Sequence, residues 1–497
     1  MAPHKEVTLD PENWDELRAL GHRMLDDMMT RLETIREISY QFNWPTKDEI
    51  DKITVPLPTQ GEGEEKVYEL FKETIMNHSL VHVKPNFWGV VAGTGSPYGM
   101  LAEMLTGGVN FLIEQPPFIT GYTQKQVIEW IKEMLDYPAE AGGVLVSGGS
   151  EANFTGLAVA RNAKAKKDLK TKGVHGQPEQ MTLYGSEEIH ECTERSVELL
   201  GIGNEALRRI PTDENCIIKI TALKKAIKED REKRMHPFCI IGNAGTVNSG
   251  AFDDFKTLRN IADKEDMWLH IDGAFGSWVK LSESHRHLAD GIELADSLAV
   301  DLHKWMDMPY GIGCTLVRDR LAHYKTFVYG HEAAYIRSAG QLDEEIFTKY
   351  HSMALPLSRS NLSLKAYMLL RAYGRDKYAR LVQQNIDQIN YLASLIEKEP
   401  KLELTTPVIS NIVCFRYNPH GLDEEDLEEL NKMIAQELWK INFWIVSDTT
   451  IKGKYMLRAC NVNHRSRKED FDFLVKQIKS IGKEQMKIIR GGKTNNT

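Results

Sequence analysis

Apolar positions change their period along the chain. Trp14, Leu17, Leu20 and Met24 recur at helical spacing, and Met28, Leu32 and Ile35 continue the stripe. A Pro-bearing connector, Ile53 to Pro58, interrupts it before a second helix around Glu64 to Asn77. A helical arm over residues 1–82 is too short to bury a good core alone, so it is expected to pack on a partner or a neighbouring domain.

From 83 to 356 the texture alternates. Helical patterns at Gln124–Asp136, Glu151–Ala165, Ile189–Leu199, Ile220–Glu232 and Phe255–Glu265 are separated by short apolar runs. Those runs are Val144–Val146, Met181–Tyr184, Phe238–Ile241, Trp268–Ile271, Ser297–Val300 and Cys314–Val317. The alternation predicts an α/β domain with an open, mostly parallel sheet covered by helices on both faces. Ligands of such sheets sit beyond the carboxyl ends of the strands. Val328 to Ser352 is polar and aperiodic, a length of loop that is usually functional or mobile. Helices at Leu362–Tyr373, Lys377–Lys398, Glu424–Lys440 and Glu469–Ile481, with strands at Ile409–Tyr417, Trp444–Ser447 and Tyr455–Cys460, predict a smaller α+β domain over 357–497. The final GGKTNNT reads as a frayed tail.

Composition narrows the class. The 497 residues correspond to roughly three folded units at about 150 per domain. The formal charge of −9 argues against a nucleic-acid partner, which would call for a basic face. No run reaches the roughly 18 apolar residues of a membrane span, and the N-terminus has no signal-peptide core. Six scattered cysteines, without metal spacing, read as reduced thiols of a cytoplasmic protein.

Three segments could carry chemistry. In GGVLVSGGSEANFTGLAVAR (142–161) a strand runs through Gly148, Gly149 and Ser150 into a helix, an arrangement that cradles an anion. It equally describes an ordinary strand–turn–helix with Ser150 as a cap. In WLHIDGA a strand ends on Asp272, suited to a cation or a protonated ring nitrogen, or simply to a turn. In SLAVDLHKW, Lys304 leaves a strand between His303 and Trp305, where burial would make its amine a nucleophile toward carbonyls. An anion cradle, a carboxylate and an amine at the strand ends of one sheet suit an aldehyde cofactor with a phosphate tail and a ring nitrogen. Pyridoxal 5′-phosphate is such a molecule.

The motifs VSGGSEAN, GSEEIHECTER, GTVNSGAFDD, WLHIDGAFG, DLHKWM and KYHSMALPLSRS resemble those of the group II pyridoxal-phosphate-dependent amino acid decarboxylases, especially the aromatic-L-amino-acid decarboxylases. The resemblance implies a fold-type I, aspartate-aminotransferase-like architecture, with the arm serving dimerisation. It implies that Lys304 forms the Schiff base, that Asp272 pairs with the pyridine nitrogen and that His190 stacks on the ring. Gly149, Ser150 and His303 would bind the phosphate, and Thr246 and Ala274 would lie against the ring. Tyr350, six residues before Pro356, would protonate the substrate carbon from a mobile loop that enters the other subunit's site of a homodimer. Relatives with phenylalanine at that place are aldehyde synthases.

For the substrate, Ser358 stands where plant relatives tend to carry serine for phenolic and glycine for indolic amino acids. The expected reaction is therefore decarboxylation of an aromatic L-amino acid, phenolic over indolic. Alternatives are an acidic or other non-aromatic substrate, an aldehyde synthase, another fold-type I lyase or aminotransferase, or a non-catalytic scaffold. Asp301, where aromatic decarboxylases often carry asparagine, and Val90 and Val91, in place of bulkier residues, depart from the family pattern. An anion at 301 would need its own partner.

Overall fold

The computed structural model describes residues 7–38, 44–78, 82–111, 116–328, 349–441 and 445–494. Seven strands form the large sheet: β1 Gly142–Val146, β2 Met181–Ser186, β3 Leu207–Ile210, β4 His236–Asn243, β5 Trp268–Asp272, β6 Ser297–Asp301 and β7 Gly313–Val317. Their spatial order is β1-β7-β6-β5-β4-β2-β3. From β6 to β3 every pairing is parallel, while β7 runs antiparallel to both β6 and β1. The chain returns from β6 to β7 without a crossover helix, and a short return can only join antiparallel strands. The expected mostly parallel sheet is present, with this one inversion beside the lysine.

Strand alternation puts Trp268, His270 and Asp272 of β5 on one face and Leu269 and Ile271 on the other. The first face meets the helix Gly149–Lys164, whose Leu157 and Ala158 share a cluster with Trp268. The second face packs with Ile128 and Ile131 of the helix Ile119–Met134 in the main core. In register, Asp301 pairs with Gly313, and Val300 with Cys314. Asp301 thus faces the Gly149 helix, and Val300 and Cys314 face away from it.

The smaller sheet adds β8 Leu402–Leu404, β9 Ile412–Tyr417, β10 Ser447–Ile451 and β11 Lys454–Cys460, ordered β10-β11-β9-β8 and antiparallel throughout. Helices Glu424–Ile441 and Lys468–Thr494 pack with it, and the second continues past the expected end at Ile481 into the supposed tail. Trp88 plugs this small core, stacked on Phe471 at 4.3 Å and donating to Ser466 at 2.9 Å. The two helices expected on either side of residue 374 are present within Ser363–Lys398, separated by a kink at Gly374, whose positive φ of 71° suits glycine. The arm folds as helices Trp14–Glu33, Lys47–Ile53 and Glu64–Leu70, and Arg36 ties it to Asp470 of the small domain at 3.0 Å.

The pattern misses β3, an edge strand reading LRRI, and the helix Pro97–Val109, capped by Ser96. Most of Val328–Ser352, and Trp444, lie outside the described residues. Among the described residues no helix is long and apolar enough to cross a membrane. All six cysteines are unpaired and buried.

Candidate active site

Close approach explains the glycines after β1. A Cβ on Gly149 would lie 2.6 Å from Asp301 Oδ2 and 3.2 Å from the Ala274 methyl, and one on Gly148 would lie 2.8 Å from His303 Cε1. The first turn of the Gly149–Lys164 helix therefore sits directly against the ends of β5 and β6. Ser150, exposed, follows in that turn, where unpaired N–H groups and the helix dipole favour an anion. Glu151 turns back to accept from the Ser147 N–H at 2.8 Å and its hydroxyl at 2.7 Å.

A buried polar chain fixes this turn from beneath. The Trp268 indole N–H donates to Ser297 Oγ at 2.8 Å, and Ser297 Oγ lies 2.8 Å from His270 Nδ1. His270 Nε2 lies 2.8 Å from Asn153 Oδ1, and Asn153 Nδ2 donates to the Gly149 carbonyl at 2.9 Å. Because Asn153 presents its oxygen, His270 must donate from Nε2 and accept at Nδ1. Burial pushes its pKa down to about 4, so the ring stays neutral. Satisfied networks of this kind specify one geometry. Alternation along β5 already places His270 beside Asp272, but the sequence does not reveal its partners.

Asp272 ends β5 and accepts from the Ala274 N–H at 3.1 Å. Its strand neighbours are Asn243 of β4 and Ala299 of β6. Three residues beyond Asn243, Thr246 occupies a tight turn, its hydroxyl 2.8 Å from that of Ser249 and accepting from the Ala251 N–H at 3.1 Å. His190 caps the helix Glu191–Leu199, and its Nδ1 accepts from the Cys192 N–H at 3.1 Å. Cys192 is within electrostatic reach of Asp272, Asp301 and Lys304, which puts the His190 turn at the same end of the sheet.

Lys304 Nζ lies 3.0 Å from Asp301 Oδ2. Burial lowers the lysine pKa, but Asp301 and then Asp272 outweigh it, and the net direction is upward. The nucleophile expected from burial alone is thus held as an ammonium by its own carboxylates. His303 is buried, with Nδ1 at 2.9 Å from the Ile312 carbonyl and its ring 4.5 Å from that of Tyr310. Burial lowers its pKa. A Cβ on Gly93 would strike the carbonyl oxygens of His303 and Lys304 at 2.2 and 2.3 Å, so the backbone at Gly93 packs directly on that of the lysine segment.

Tyr350 is not part of this cluster. It opens a short 3₁₀ turn, is 3% exposed and packs in the main core. Its electrostatic neighbours are Glu129, Arg320, Cys314 and Arg359, and burial raises its pKa. Cys314 faces away from the Gly149 helix, so Tyr350 lies on the side of the sheet opposite Asp301. The expected role of Tyr350 as proton donor concerns the other subunit's site, and residues 329–348 of its loop lie outside the described residues.

The remaining residues fit a pyridoxal phosphate: a glycine cradle at a helix N-terminus, a carboxylate on β5 and an amine after β6, all at one sheet edge. Sequence reasoning missed Arg458 of β11, an arginine inside an otherwise apolar strand. It is 4% exposed, donates to the Gly89 carbonyl at 3.0 Å and the Asn248 carbonyl at 3.2 Å, and leaves Nη2 without a hydrogen-bond partner among the described residues. Cys460, two residues on, feels both Arg458 and Lys304.

Residues 47–418 match the pyridoxal-dependent decarboxylase conserved domain. The chain is 33% identical over 483 residues to an aromatic-L-amino-acid decarboxylase of Bacillus atrophaeus, covering 95% of this chain and 96% of that protein. It is 27% identical over 394 residues to an L-2,4-diaminobutyrate decarboxylase of Acinetobacter baumannii, covering 76% of each. Among solved structures, Oryza sativa TDC with PLP and tryptamine superposes with a TM-score of 0.87 at 21% identity, over 96% of this chain and 100% of that one.

Proposed function

Because the chain belongs to the pyridoxal-dependent decarboxylase family and is an amino acid decarboxylase of that family, we propose that it converts an aromatic L-amino acid, phenolic in preference to indolic, to its amine and carbon dioxide. When bound, pyridoxal 5′-phosphate supplies the electron sink for the pair left on Cα by departing carbon dioxide. In this reading Lys304 tethers the cofactor, and Asp272 holds a proton on the ring nitrogen. His190, its Nδ1 accepting from the Cys192 N–H, lays its imidazole on the ring. Gly149, Ser150 and neutral His303 take the phosphate, and Thr246 and Ala274 set the plane. Arg458 Nη2 is the donor for the substrate carboxylate.

The observation that carries the aromatic reading is the uncharged lip over Lys304. Gly93, two residues past Val91, packs on the His303 and Lys304 carbonyls, and Tyr310, half exposed, stands against His303. Arg465 near this lip is committed to the Thr94 carbonyl at 3.1 Å. The Bacillus atrophaeus relative supports the same side-chain class. The second reading, a non-aromatic substrate, is favoured by the Acinetobacter baumannii relative and by Arg458, should that guanidinium serve a side-chain carboxylate instead.

A homodimer is part of the proposal. Met104, Leu105 and Val109 on the helix Pro97–Val109, with Phe118, Ile119 and Tyr122 beyond it, are exposed, an apolar face that a second copy would cover. The free, buried cysteines suit a reducing, cytoplasmic setting. A panel of L-amino acids with amine detection by mass tests the substrate. Tyrosine or dopa should be turned over ahead of tryptophan; 2,4-diaminobutyrate or an acidic amino acid in first place would overturn the aromatic reading.

A further inference from the structure

Asp301 stands in the place built for an anion. It is 1% exposed, and neither carboxylate oxygen has a hydrogen-bond partner among the described residues. Oδ2 lies 2.6 Å from where a Gly149 Cβ would be, at the first turn of the cradle helix. The charge is neutralised from one side only. Lys304 Nζ lies 3.0 Å from Oδ2, close enough to pair but outside hydrogen-bond alignment, and His303 Nε2 lies at 3.8 Å. The carboxylate at 301 thus does have its own cation, and that cation is the lysine that would tether the cofactor.

Loading removes this arrangement. With the cofactor held through its amine, Lys304 would no longer stand beside Asp301 as a free ammonium. A phosphate dianion enters the cradle at the same time. A bare carboxylate beside a phosphate in a buried site is an uncompensated repulsion. The other ionisable groups facing Asp301 do not relieve it. Asp272 on β5 is itself acidic, Cys192 on the helix Glu191–Leu199 and Tyr310 in the lysine loop have raised pKa values, and that of His303 is lowered. On the cradle helix, Glu151 is turned back onto Ser147.

Building on the pyridoxal-phosphate reading above, we propose that Asp301 is a proton-coupled positioning residue of the phosphate cradle: ionised and paired with Lys304 when the cradle is empty, and protonated from solvent when phosphate occupies it. Asp301 then donates to the anion it would otherwise repel. Cofactor binding consequently carries one proton that an asparagine at this position would not require.

The test uses cofactor-stripped full-length protein titrated with pyridoxal 5′-phosphate between pH 7 and 8.5, followed by quenching of tryptophan fluorescence, for the native chain and Asp301→Asn. Titrations of the cofactor's own groups are common to both proteins and cancel. The native Kd should rise with pH more steeply, by up to about tenfold per pH unit relative to the variant, as linkage to one proton requires. The variant should bind more tightly at the alkaline end. Calorimetry of both proteins in two buffers of different ionisation enthalpy gives the difference in proton uptake, and no excess uptake by the native protein overturns the proposal. Equal pH slopes for the two proteins, or weaker binding by Asp301→Asn at every pH, also overturn the role of Asp301 while leaving the cofactor reading intact. No binding by either protein would overturn the cofactor reading itself, and this inference with it.

Discussion

Lys304 and Tyr350 are both expected from sequence to act in catalysis, and within this subunit they lie on opposite faces of the large sheet. Lys304 follows β6 at the sheet's carboxyl edge, 3.0 Å from Asp301 and against the helix whose first turn is an anion cradle. Tyr350 lies across the sheet, near Glu129, Arg320 and Cys314, packed in the main core. Both are polar residues in largely buried surroundings. What separates them is which face of β6 and β7 they meet, and strand register decides that. A motif marks a residue as worth testing, whereas the parity of the neighbouring strand says which side of its own sheet it occupies.

The largest effect that would break this contrast lies on the Lys304 side. Lys304→Ala should abolish carbon dioxide release and cofactor retention together, read by gas evolution and by the visible absorbance of the purified protein. Substantial residual turnover would dissolve the distinction between the two faces.

A smaller but telling loss is expected beneath the cradle. His270→Phe strands Asn153 Oδ1 and the Ser297 hydroxyl, each a buried polar group worth about 1–3 kcal/mol when unsatisfied. Chemical denaturation should show a loss of about 2–6 kcal/mol on that basis. Cofactor affinity should fall as well, because the Gly149 carbonyl loses its tether through Asn153. Unchanged affinity would mean that the network stabilises the fold without positioning the cradle.

The smallest effect belongs to Tyr350. Tyr350→Phe removes one oxygen from an apolar core and should cost no more than about 1 kcal/mol of stability. If Tyr350 donates the proton in the partner's site, the product should shift from amine to the corresponding aldehyde, measured by mass spectrometry. Full amine production by the variant would remove Tyr350 from the chemistry.

Much of this molecule was legible before any coordinates. Five of the large-sheet strands extend by only a residue or two beyond their apolar runs, because buried strands are written as apolar runs in the chain. Gly149, Asp272 and Lys304 were legible because each sits where a strand meets a turn. Three things were not. The antiparallel β7 looks like any other short apolar run, since strand direction is set by connection length and not by side chains. The helix Pro97–Val109 is glycine-bearing and exposes Met104 and Leu105, which blurs its stripe. The placement of Tyr350 depends on cross-strand register, which sequence spacing from Pro356 does not encode. Asp301 was visible as a departure, but only the geometry shows that its partner is Lys304.

Reduction of the cofactor-loaded protein with borohydride, followed by peptide mass mapping, tests the central assignment most directly. The phosphopyridoxyl mass should appear on the peptide carrying Lys304 and on no other. Its appearance on a different lysine, or on none, would contradict the site described between β5, β6 and the Gly149 helix.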